Sequence, residues 1–99
     1  MLNIEKTIEN GKAEYKLEGR LDTVTAPDLE QDISGSLEGV TELVLDFEKL
    51  EYISSAGLRV LLATQKTMKK QGEMQLIHVN EIIMEIFEVT GFSEILTIE

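Results

Sequence analysis

The chain has no cysteine, no tryptophan, one proline and one histidine among its 99 residues. Without cysteine there can be no disulfide, no thiolate zinc site and no cysteine nucleophile, which fits a reducing compartment and points to a cytoplasmic protein. The lone imidazole, His78, rules out a histidine-cluster metal site, and any Ser-His-Asp triad would have to use it. Basic residues are scarce too: 9 Lys and Arg against 19 Asp and Glu give a net charge of -10, which repels phosphate backbones and argues against nucleic-acid binding. The start Met1-Leu2-Asn3-Ile4-Glu5-Lys6 lacks the basic opening and apolar run of a signal peptide. No stretch approaches the ~18 apolar residues of a membrane span, so no membrane partner is expected.

What is present is enough for one small core. Hydrophobic residues make up 42% of the chain, and the length allows one domain over residues 1–99. A domain of this size buries about 60 to 65% of its unfolded surface, so its stability is marginal.

Leu2, Ile4 and Ile8 share one parity, and Ala13, Tyr15 and Leu17 alternate with charged residues after Asn10-Gly11, the pattern of a β-hairpin with a tight turn. Leu29, Ile33 and Leu37 recur every four residues, which predicts a short amphipathic helix with Thr25 as cap, Pro27 in its first turn and Ser34-Gly35-Ser36 weakening its end. The unbroken apolar run through Leu43-Val44-Leu45-Asp46-Phe47 suits a strand buried on both faces. A second helix is expected from about Ser55 to Gln71, with Gly72 as its C-terminal cap, then a strand from Met74 to Val79. Asn80 caps a third helix carrying Ile82, Ile83, Ile86 and Phe87 and closed by Gly91, and a short last strand is expected over Ile95 to Ile98. The order β-β-α-β-α-β-α-β predicts an α/β fold, a mixed sheet of four to five strands with helices packed on it. In such sheets sites gather at the carboxyl ends of strands, here the junctions Gly19 to Ala26 and Glu51 to Leu58.

The second junction carries the strongest signal. From Tyr52 to Gly72 there is no Asp or Glu, while Arg59, Lys66, Lys69 and Lys70 fall inside that window. The three lysines suit the end of a helix, where cations complement the macrodipole by ~0.3 to 1 kcal/mol each. Arg59 sits at the wrong end for the dipole and points to a surface role. One of Ser54 and Ser55 is explained as an N-cap worth about 1 kcal/mol. Gly57 in a first helical turn costs roughly 1 kcal/mol relative to Ala, which suggests close approach to its backbone.

The nucleophile-elbow pattern G-x-S-x-G fails because Ile53 stands where its first Gly belongs, so no enzyme activity and no catalytic residue is expected. A hydroxyl at a helix N-terminus can instead accept a phosphate, which free N–H groups and the dipole tolerate. His78 is expected to be packed or hydrogen-bonded, Met68, Met74 and Met84 to fill the core, and Glu42, Asp46, Glu48 and Glu51 to form a solvated surface without cation-binding spacing. No cofactor or metal is expected. Asp22 reads either as a contact to the serine loop or as an ordinary turn residue bonding nearby backbone.

Three stretches carry a resemblance: Gly19-Arg20-Leu21-Asp22-Thr23-Val24-Thr25-Ala26, then Leu45-Asp46-Phe47 with Tyr52-Ile53-Ser54-Ser55-Ala56-Gly57-Leu58-Arg59-Val60-Leu61, then Ile86-Phe87-Glu88-Val89-Thr90-Gly91-Phe92. Their order and spacing resemble a STAS domain of the stand-alone anti-sigma factor antagonist type, with the second stretch similar to the family's Asp-Ser-Ser/Thr-Gly-Leu phosphorylation loop. The resemblance implies a cytoplasmic binding regulator that sequesters an anti-sigma factor and so frees a sigma factor. It also implies that the anti-sigma factor is a serine kinase acting on the antagonist and that a PP2C-type phosphatase reverses the modification. The acceptor falls on Ser55, with Ser54 as the alternative, and the partner surface on Asp22, Thr23, Ser54, Ser55, Ala56, Gly57, Leu58 and Arg59. Ser54 stands where the family has Asp, and Ala56 where it has a second Ser or Thr. A STAS scaffold module of a sensory or transport complex, not phosphorylated, is the alternative.

Overall fold

In the computed structural model, which describes residues 2–99, Asn10 and Gly11 take φ of 52° and 82°. These left-handed angles make the tight turn that joins β1 (Leu2–Glu9) to β2 (Lys12–Leu21) in antiparallel register, Glu9 opposite Lys12 and Leu2 opposite Gly19. The chain continues through α1 (Ala26–Ser34), β3 (Glu42–Ile53), α2 (Ser55–Lys69), β4 (Glu73–Ile77) and α3 (Glu81–Thr90), and then a 3-10 turn over Phe92–Glu94. The sheet order is β1-β2-β3-β4, with β2, β3 and β4 mutually parallel. This is the expected mixed α/β sheet, with four strands.

Both parallel crossovers step in the same direction across the sheet, so right-handed connections place α1 and α2 on one face. Tyr15, Leu17, Leu43, Leu45 and Phe47 point to that face and are essentially inaccessible. α3 joins the same layer through Phe87, whose ring centre is 6.4 Å from that of Phe47. The Tyr15 hydroxyl donates to Asp32 Oδ1 on α1 at 2.8 Å, and burial pushes the phenol up to about 12. Met68 and Met74 lie fully in the core as expected, and Met84 is half-buried against it.

Several local expectations shift. β3 runs 12 residues, far beyond Phe47, because its pairing with β2 slips register between Lys16 and Glu18 and again between Gly19 and Arg20, which breaks the alternation a strand would show. Residues 43–47 are nevertheless all buried, Val44 and Asp46 at 6% and 7% exposure on the face away from the helices. α1 ends at Ser34, and Thr25 makes no side-chain cap bond. The C-cap of α2 is Lys70, and Gly72 has ordinary backbone angles; a Cβ there would run into the Thr41 carbonyl. β4 stops at Ile77. The expected last strand is reduced to one parallel bridge, Leu76 with Ile98, held by Leu76 N–H to Thr97 O and Glu99 N–H to Leu76 O, both at 2.9 Å. Among the described residues no helix is long and apolar enough to cross a membrane.

Candidate functional site

Leu21 pairs with Ile53 at the carboxyl ends of adjacent parallel strands, so the loop after β2 and the start of α2 stand side by side. The Ser54 N–H donates to the Leu21 carbonyl at 2.9 Å and ties the two segments together. Ser54 is the N-cap of α2: its backbone is extended and its hydroxyl accepts from Gly57 N–H at 3.5 Å. Ser55 is then the first helical residue. It is exposed, and among the described residues its hydroxyl makes no hydrogen bond. Capping thus separates the two serines, occupying one hydroxyl and leaving the other to solvent.

Gly57 is buried, and the close approach expected there comes from the domain itself. A Cβ at Gly57 would lie 2.8 Å from Ile53 Cγ1 and 2.8 Å from Leu21 Cγ. Glycine lets the first turn of α2 settle onto the ends of β2 and β3. Leu58, at 8% exposure, also faces inward. Of the residues expected to meet a partner, Thr23, Ser55 and Arg59 are exposed, Asp22, Ser54 and Ala56 are half-buried, and Gly57 and Leu58 support the surface from beneath.

Asp22 resolves to its turn reading. Its Oδ1 accepts from the N–H groups of Val24 and Thr25, each at 3.0 Å, and it makes no bond to the serine loop. Thr25 Oγ1 accepts from Asp22 N–H at 2.9 Å and donates to Arg20 O at 2.8 Å, which closes the turn. The Thr25 N–H bond, more than the other contacts, holds the Asp22 carboxyl below its usual range. This rigid turn displays Val24 at 81% exposure. Beside it, opposite one another in register, the Arg20 guanidinium lies 4.4 Å over the Tyr52 ring. Val24, Arg20 and Tyr52 were not among the expected site residues; an apolar residue at the tip of a polar turn was the available signal for Val24. At the far end of α2, Lys66 and Lys69 occupy the last turn, where the dipole favours them.

A second polar cluster corrects the reading of Asp46 as solvated surface. Asp46 is buried, and its Oδ1 accepts from Glu48 N–H at 2.9 Å, just where the β2–β3 ladder slips register. The same oxygen is 3.0 Å from Nδ1 of His78, which is exposed, with φ of 57°. Ligand atoms of Asp46, Glu48 and His78 all lie within 4.8 Å of one another, a grouping invisible in the sequence because residues 46 and 78 are brought together by β3–β4 pairing. The hydrogen bonds account for the arrangement of Asp46 and His78.

The sequence profile of the STAS domain matches residues 3–99. The chain belongs to the STAS domain family. BtrV of Bordetella bronchiseptica is 38% identical to this STAS domain over 81 residues, 80% of this chain and 70% of that protein. The anti-sigma-B factor antagonist of Staphylococcus aureus is 30% identical over 97 residues, covering 96% of this chain and 90% of the relative. The Bacillus cell-fate determinant SpoIIAA, solved in its phosphorylated form, has the same fold, with a TM-score of 0.76 at 19% identity, covering 100% of this chain and 91% of that one.

Proposed function

We propose that this STAS domain is an anti-sigma factor antagonist, a protein-binding regulator that docks an anti-sigma factor through the surface formed by the Asp22–Thr25 turn and the start of α2, and so frees a sigma factor. Phosphorylation of Ser55 by that partner, acting as a serine kinase, switches binding off, and a PP2C-type phosphatase restores it. The observation that carries this reading is the division of labour between the serines: Ser54 caps the helix, and Ser55 offers an exposed, unbonded hydroxyl at the first helical position.

A phosphate there faces the positive end of the α2 dipole, and Arg59 stands one turn further along the same helix, so modification is compatible with the fold. The added charge of about -1.5 to -2 acts on the partner instead. Buried at an interface without a matching cation it should cost several kcal/mol, about a thousandfold in affinity. The relative from S. aureus is named as an anti-sigma-B factor antagonist, and SpoIIAA exists in a phosphorylated form, both in line with this reading. The neutral Ser54, where the family pattern has Asp, favours the second reading, a STAS scaffold in a sensory or transport complex that binds without being phosphorylated.

The test is capture from host lysate with wild-type, Ser55→Ala and Ser55→Asp baits. An ATP-binding anti-sigma factor held by the first two and released by the third supports the switch. The same partner retained by all three supports the scaffold.

A further inference from the structure

α3 carries two parallel rows of side chains. Ile82, Ile86 and Val89 stand at i, i+4 and i+7, and Glu81, Glu85 and Glu88 repeat that spacing one residue earlier, about 100° around the helix. Ile83 and Phe87, one residue later and so about 100° around the other way, are buried in the core. Ile82 and Val89 are 66% and 81% exposed, and a shallow groove of ≈ 330 Å³ runs between Ile82, Glu85, Ile86, Val89 and Thr90. Ile86, between Ile82 and Val89, is half-buried against the core, so the apolar surface presented to solvent is that of Ile82 and Val89 with the outer edge of Ile86, a row suited to an interaction surface.

The charge on this face has no internal counterpart. After Lys70 the chain contains no Lys or Arg, while Glu73, Glu81, Glu85, Glu88, Glu94 and Glu99 are all acidic. Glutamates four and three residues apart on α3 repel one another, and among the described residues none of the three joins an ion pair. One ligand relieves both the exposed aliphatic row and the uncompensated acidic row. We propose that this face of α3 docks a basic amphipathic helix of a partner protein, its apolar stripe on Ile82, Ile86 and Val89 and its Lys/Arg row against Glu81, Glu85 and Glu88. A second copy of this chain fits poorly, because a two-fold antiparallel pairing of α3 with itself sets glutamate row against glutamate row. An anionic membrane surface is repelled for the same reason.

The experiment is an NMR titration of the isotope-labelled protein with a synthetic amphipathic Leu/Lys peptide of about five helical turns, against a Leu/Glu peptide of the same pattern. The Leu/Lys peptide should saturably shift the backbone amide signals of residues 81–90, and the Leu/Glu peptide should leave them in place. Ile82→Ser with Val89→Ser should raise the Kd at least about tenfold without lowering the melting temperature, since both side chains are mostly in water. Glu85→Gln with Glu88→Gln should weaken binding and flatten its salt dependence, and Glu85→Lys with Glu88→Lys should abolish it. Equal binding of both peptides, shifts centred elsewhere, or no saturable shift overturns the proposal. So does a dimer in sedimentation that Ile82→Ser dissolves. None of these outcomes depends on Ser55, so the two proposals stand or fall separately.

Discussion

His78 Nδ1 lies 3.0 Å from Oδ1 of Asp46, and this contact joins the turn after β4 to the buried face of β3. The hydrogen bond to Asp46 and that carboxylate's charge raise the His78 pKa above its ordinary 6.5, with Glu48 adding to the effect. For Asp46, burial alone would raise the pKa, but the Glu48 N–H, His78 and Lys16 together outweigh it and bring the carboxyl below 3.8.

The signs define a pH window. A raised histidine stabilises the fold fully below 6.5 and loses its effect as pH rises through its folded value; a lowered aspartate stabilises above 3.8 and loses its effect as pH falls through its own. The pair therefore contributes most between those limits. The stability difference between wild type and His78→Gln, from urea denaturation, should be widest near about pH 5 and narrow by about pH 9. A difference that is flat across this range would show that the pair does not titrate with folding.

The two serines separate by stability alone. Ser54→Ala removes the N-cap of α2 and should cost about 0.5–1 kcal/mol, at the low end because its bond to Gly57 N–H is long at 3.5 Å. Ser55→Ala should stay within about 0.5 kcal/mol of wild type. Ser54→Asp keeps the cap, adds a charge at the favourable end of the dipole, and should gain ~0.3–1 kcal/mol. Equal losses for both alanine variants would contradict the assignment of Ser54 as cap.

Two glycines are held by space. Gly57→Ala pushes a methyl against Ile53 Cγ1 and Leu21 Cγ, and its overpacking cost of about 1–3 kcal/mol is partly offset by roughly 1 kcal/mol of helix propensity. Gly72→Ala drives the methyl into the Thr41 carbonyl, which a side-chain rotation cannot relieve, and should cost more. Thermal melts of the two variants would check the order; a milder Gly72→Ala would mean that the chain after α2 shifts easily.

Val24 tests the proposed partner surface without disturbing the fold. At 81% exposure, Val24→Ser should leave the melting temperature unchanged. If Val24 is fully buried against the anti-sigma factor, the substitution should weaken binding by about tenfold to a hundredfold. Unchanged affinity in calorimetry would move the interface away from the Asp22–Thr25 turn.

Elements whose signals are local could be read along the chain. Asn10-Gly11 makes its turn because these residues tolerate positive φ, Asn80 caps α3 through Ile83 N–H at 2.9 Å, and Gly91 closes that helix at φ of 83°. Element order then gave the mixed sheet, since short right-handed crossovers leave few alternatives. The three family stretches could be read for the same reason: each is a continuous run of residues. The remaining features depend on contacts between residues far apart in the chain. β3 extends past Phe47 because β2 supplies its partners across two register slips. Asp46 is buried, and not part of a solvated acidic surface, because His78, 32 residues away, and the slipped Glu48 N–H satisfy its carboxylate. Ser54 and Ser55 look alike along the chain, and they differ in the fold because the N-cap geometry of α2 engages one hydroxyl and turns the other to solvent.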